Sequence, residues 1–77
     1  MEFELHDIQV TSDNVNGSIA AKASAQLVTA KGARAITAGS GATAAAVRGG
    51  MTAANVELLA AERLIGVALK AVRSEAG

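Results

Sequence analysis

The run MTAANVELLAAERLIGVALKAVR, Met51 to Arg73, is where the chain's large aliphatic side chains are dense: Val56, Leu58, Leu59, Leu64, Ile65, Val67, Leu69 and Val72. On a wheel of ~100° per residue, Glu62, Gly66, Lys70 and Arg73 share one arc with Arg63 and Leu59. Two apolar ridges fill most of the rest. Val56, Ala60, Leu64, Val67 and Ala71 make one; Leu58, Ala61, Ile65, Leu69 and Val72 make the other. The run is long and rich in Leu, Ala and Glu, which predicts helix rather than strand. Thr52 or Asn55 can cap its start, and Lys70 and Arg73 meet the negative end of its dipole. The two ridges together exceed the ~100° stripe that a surface helix needs. Two ridges need two surfaces, and a short chain can supply one of them. Val56, Leu58, Leu64, Ile65, Val67, Leu69 and Val72 are therefore the candidate interface residues.

Outside this run large side chains are sparse. Between Lys31 and Asn55 the branched aliphatics are Ile36 and Val47. The chain has 77 residues and is 51% hydrophobic, but nineteen of its residues are alanine, one is phenylalanine and none is tryptophan or tyrosine. Alanine buries little area, and burial stabilises by ~25 cal/mol per Å². Chains this small usually lean on disulfides, metal or association. Cysteine is absent and histidine occurs once, so disulfides and the common zinc sites drop out. Association remains, with a protein partner or with the chain itself.

Seven basic residues balance seven acidic ones. Zero net charge and missing stacking aromatics argue against nucleic-acid binding. The start MEFELHDIQV has no basic n-region and is no Sec signal peptide, and no uncharged apolar run reaches membrane-spanning length. The expected protein is soluble, cytoplasmic or exported without a Sec signal.

The pattern predicts one small, mainly α domain over residues 1–77. Phe3 and Leu5 alternate with Glu2, Glu4 and His6, which reads as an extended arm over 1–12. Thr11, Ser12, Asp13 and Asn14 are capping residues, and the alanines after them favour helix from Asp13 to at least Lys31. The simplest architecture carries helix 1 over 13–38. A competing hairpin would set Leu27–Thr29 against Ala35–Thr37 about a turn at Lys31-Gly32. Gly39-Ser40-Gly41 reads as a bend. A second helical arm follows over 42–75, with a break or kink at Gly49-Gly50. The result is an antiparallel two-helix hairpin that completes a helical bundle with another chain.

Nothing in the residues forms a catalytic motif. His6-Asp7 on an extended segment point to opposite sides and cannot form a dyad. GSGATAAAVRGG is neither a Walker loop nor a dinucleotide fingerprint. Glu57 lies inside the apolar arc, where it can serve the helix dipole or meet Arg34 or Arg48. The expectation is a protein with no enzymatic activity and no cofactor or metal.

Ile8-Gln9-Val10-Thr11-Ser12-Asp13-Asn14-Val15, leading into an alanine-rich segment, resembles the opening of small helical-hairpin proteins of type VII secretion systems. The resemblance implies a two-helix hairpin that pairs into a four-helix bundle, as substrate or partner of a secretion complex. The family's Trp-x-Gly bend and its C-terminal aromatic–acid export signal are missing here. Three readings follow: a helical interaction module, a self-assembling filament or coat-like subunit, and a precursor cleaved after Gly50 to release a helical peptide.

Overall fold

SIAAKASAQLVT, residues 18–29, is the middle strand of a sheet. The computed structural model describes residues 2–76, which form β1 (Glu4–Val15), β2 (Ser18–Thr29), β3 (Gly32–Ala42), α1 (Ala44–Arg48) and α2 (Ala53–Ala76). The three strands make one antiparallel meander in the order β1-β2-β3. This replaces the mainly α hairpin and its four-helix bundle: residues 13–38, expected as helix 1, lie in three strands and two turns. Gly39, Ser40 and Gly41, expected as the bend, lie inside β3 opposite Lys22, Ala21 and Ala20.

Two turns set this topology. Asn16 and Gly17 link β1 to β2 with φ of +53° and +85°, so both residues of the two-residue loop are left-handed, as a type I′ hairpin requires. The Asn14 side chain accepts from the Gly17 N–H at 3.2 Å. The second hairpin turns at Ala30-Lys31, between the paired Thr29 and Gly32. A hairpin does form in this region, but one residue earlier than the competing reading about Lys31-Gly32 set it: Leu27–Thr29 pair with Gly32–Arg34 rather than with Ala35–Thr37.

Once β2 is extended, its alternation is clean. Ile19, Ala21, Ala23, Ala25 and Leu27 are buried, while Ala20, Lys22 and Gln26 are exposed. α2 lies across the buried face, mainly over β2 and β3, and contributes Val56, Ala60, Leu64, Ala68 and Val72 to the core. These five stand at successive i, i+4 positions, a row inclined to the helix axis, which lets it follow the twist of the sheet. Ala23, Ala60 and Ala68 are fully buried. The small side chains let helix and sheet approach closely, so dispersion contacts substitute for the area that alanine lacks.

The helix starts are capped reciprocally or singly. The Thr52 hydroxyl accepts from the Asn55 N–H and the Asn55 side-chain oxygen from the Thr52 N–H, each at 3.2 Å, the geometry of a capping box. Thr43 caps α1 through the Ala46 N–H. Gly49-Gly50 forms an exposed turn between the helices, with Gly50 at φ +119°.

Candidate association surface

Polar contacts fasten α2 along the sheet and fix its direction. At its start, Ser40 Oγ donates to the Val56 carbonyl and Ser12 Oγ to Glu57 Oε2, both at 2.5 Å. At its end, Thr29 Oγ1 donates to Glu75 Oε1 at 2.6 Å and Lys31 Nζ to the Glu75 carbonyl at 3.0 Å. Arg34 stands 3.9 Å from the same carboxylate. Between the ends, Arg63 Nη1 donates to the Gly39 carbonyl at 2.9 Å. α2 therefore runs antiparallel to β1 and β3. Its Glu57 flank faces β1 and its Arg63 flank faces β3. Glu57 meets Ser12 rather than Arg34 or Arg48, and Arg34 meets Glu75.

The Glu57 flank continues through Ala61, Ile65 and Leu69 at i, i+4 spacing. β1 is the strand that α2 covers least. Across from this flank, Leu5 and Val10 lie on the core face by register, opposite Leu27 and Ala23. Between them the register slips: His6 pairs with Gln26 and Gln9 with Ser24, leaving Asp7 and Ile8 opposite Ala25. Asp7 takes φ +54° in this bulge, and Ile8 is 56% exposed. On α2 itself, Leu58 is 59% exposed.

The balance of aliphatic side chains is the telling quantity. Six large ones are buried: Ile19, Leu27, Ile36, Val56, Leu64 and Val72. Among the described residues six others are exposed, Ile8, Val15, Met51, Leu58, Ile65 and Val67, and six are half-buried, Leu5, Val10, Val28, Val47, Leu59 and Leu69. The molecule measures 44 × 20 × 14 Å with a radius of gyration of 14.4 Å, against roughly 11.5 Å for a chain of this length packed as a single globule. Its accessible surface is 4973 Å², where a monomer of 7.6 kDa is expected to show about 4300 Å².

The candidate interface residues divide. Val56, Leu64 and Val72 are consumed by the core; Leu58, Ile65 and Val67 are exposed; Leu69 is half-buried. Ile8, which spacing did not single out, joins the exposed set because the bulge turns it out of strand alternation.

The polar chemistry is dispersed. Exposed His6 Nε2 hydrogen-bonds to Glu4 Oε1 at 2.6 Å on its own strand. Among the described residues no group of three His, Cys, Asp or Glu side chains could hold a metal ion, and no helix is long and apolar enough to cross a membrane. Two open clefts, of about 770 and 290 Å³, sit at the β2–β3 turn end. Phe3 and Val28 line the first; Leu27, Arg34 and Glu75 line the second. In the second, the Glu75 carboxylate is already engaged by Thr29 and Arg34. Comparison with protein-family models, curated proteins and solved structures finds no match.

Proposed function

We propose that this chain is a non-catalytic association module that joins a second copy of itself through the flank of α2 that carries exposed Leu58 and Ile65 with half-buried Ala61 and Leu69. The observation that carries this reading is that Leu58 and Ile65 stand 59% and 50% exposed on α2, whose Val56, Leu64 and Val72 fill the core. A helix with one ridge on its own sheet and a second ridge facing water leaves a hydrophobic surface that association would remove from water. Small Ala61 between large Leu58 and Ile65 makes the ridge uneven. In an antiparallel pairing about a two-fold axis, Ile65 fits against the partner copy's Ala61 and Leu58 against its Leu69. Zero net charge leaves no strong repulsion between copies.

The polar contacts of the site support a structural role for the remaining side chains. Ser12–Glu57, Thr29–Glu75 and Ser40–Val56 each tie the helix to the sheet rather than presenting a reactive group to solvent. The secretion-partner expectation rested on a helical hairpin, which the sheet replaces, and it forms no part of this proposal.

The test is sedimentation of Leu58→Asp and Ile65→Asp beside the unmodified chain. Both variants should keep the circular dichroism of the parent and associate less than the parent does. Variants that associate as the parent does would remove α2 as the interface.

A further inference from the structure

The two edges of the sheet are built differently. β1 is broken by the Asp7–Ile8 bulge and carries Glu4, His6, Asp7 and Asp13, features that discourage pairing with a foreign strand. β3, GARAITAGSGA, has an unbroken register with β2 over all eleven residues, and Arg34 is its one charged side chain. An edge this long and regular, with a single charge near one end, offers its outward N–H and C=O groups to another strand.

We infer that β3 is a second self-association site, at which two copies pair β3 to β3 antiparallel into a continuous six-stranded sheet. This extends the α2 reading to a separate surface and does not depend on it. A register centred on Thr37 uses the whole strand, because residue 37 is the midpoint of 32–42. It sets Ala35 opposite Gly39 and Ala33 opposite Gly41 on the outer face, and Ile36 opposite Ala38 on the helix face. Arg34 falls opposite Ser40, so the two Arg34 side chains stand six residues apart, about 20 Å, beyond the ~8 Å screening length at physiological salt.

The helices agree with this geometry. α2 lies over β2 and β3, and strands are spaced about 4.8 Å. The two α2 axes would then lie roughly 10 Å apart across the two-fold, at the upper end of ordinary helix packing. The flank they share carries half-buried Leu59 and exposed Val67, bordered by Arg63 and Lys70. Arg63 already donates to the Gly39 carbonyl, and that oxygen keeps a second lone pair for a strand partner. Two different two-fold contacts on one chain propagate rather than close when their axes do not meet. The assembly would then be open-ended, as in a filament or coat.

The experiment is light-scattering mass over a concentration series for the parent, Thr37→Lys, Thr37→Glu, Ile65→Asp and Thr37→Lys/Ile65→Asp. Thr37 is exposed on the outer face, so a charge there meets its own copy across the axis without disturbing the core. The parent should grow beyond two chains, Thr37→Lys and Ile65→Asp should each stop at two, and the double variant should be one chain. Mixing Thr37→Lys with Thr37→Glu should restore growth. Ala35→Lys should repeat the Thr37→Lys result. If the parent associates and Thr37→Lys and Ala35→Lys match it at every concentration, or Ile65→Asp alone is a single chain where the parent is not, β3 pairing is overturned and α2 association stands; a parent that is a single chain at every concentration overturns both. If Thr37→Lys alone is a single chain, β3 pairing stands and the α2 reading falls.

Discussion

Leu64 and Ile65 are neighbours in sequence and opposites in environment: Leu64 is 2% exposed against the sheet, Ile65 50% exposed on the flank of α2. One peptide bond separates what holds the fold from what remains to be covered. Leu64→Asp should therefore unfold the chain, since an unpaired charge in that position has no partner and no water. Leu64→Ala should cost about 2–5 kcal/mol. Ile65→Asp should leave the unfolding free energy of dissociated protein within about 0.5 kcal/mol of the parent, as surface changes do. Urea titration followed by circular dichroism separates the two; similar effects from both would mean that the helix is seated differently.

Ser12 and Glu57 lie 45 residues apart in sequence and join β1 to α2 at their closest fastening. A hydroxyl donating to a carboxylate is worth about 1.5–3 kcal/mol. Single Ser12→Ala and Glu57→Ala variants should each lose stability, and the double variant should lose less than their sum. A double-mutant cycle in urea measures this coupling; a coupling of zero would remove the contact from the account.

Gly66 sits in the exposed middle of α2, and a Cβ added there meets nothing within 4 Å. Gly66→Ala should raise stability by about 0.5–1 kcal/mol through helix propensity and a restricted unfolded state. Gly17→Ala should do the reverse, because φ is +85° there and an L side chain is strained in that region. Thermal unfolding of the pair gives opposite shifts in Tm if both placements are right.

How the sequence encodes this fold explains where it misleads. The helix of residues 53–76 is legible because leucine, valine and isoleucine mark its period. The sheet is not, because the buried positions of β2 are largely alanine. Ile19, Ala21, Ala23, Ala25 and Leu27 alternate with Ala20, Lys22, Ser24 and Gln26, but alanine favours helix locally and masks a period of two. Tertiary packing overrides that preference: small side chains are what let α2 lie close. Asn16-Gly17 was the available signal, a strong short-range mark of a two-residue hairpin, placed where the helical reading ran straight through. In β1 the bulge flips parity, so Leu5 and Val10 share a face despite an odd separation, and no simple alternation survives. The glycines of Gly39-Ser40-Gly41 suit a strand packed tightly on its neighbour: a Cβ at Gly41 would stand 3.3 Å from the Ile19 carbonyl oxygen. At the association surface, ridge spacing located Leu58 and Ile65, but which ridge the chain keeps for itself depends on where the sheet lies.

The central claim is that the exposed ridge of α2 is covered by another copy. Light-scattering mass of the unmodified chain, measured after size exclusion from micromolar to millimolar concentration, addresses it directly. The account predicts a mass of at least two chains that falls toward one on dilution, with Ile65→Asp giving a smaller mass than the parent. A single-chain mass across the range, with Ile65→Asp indistinguishable from the parent, would contradict it.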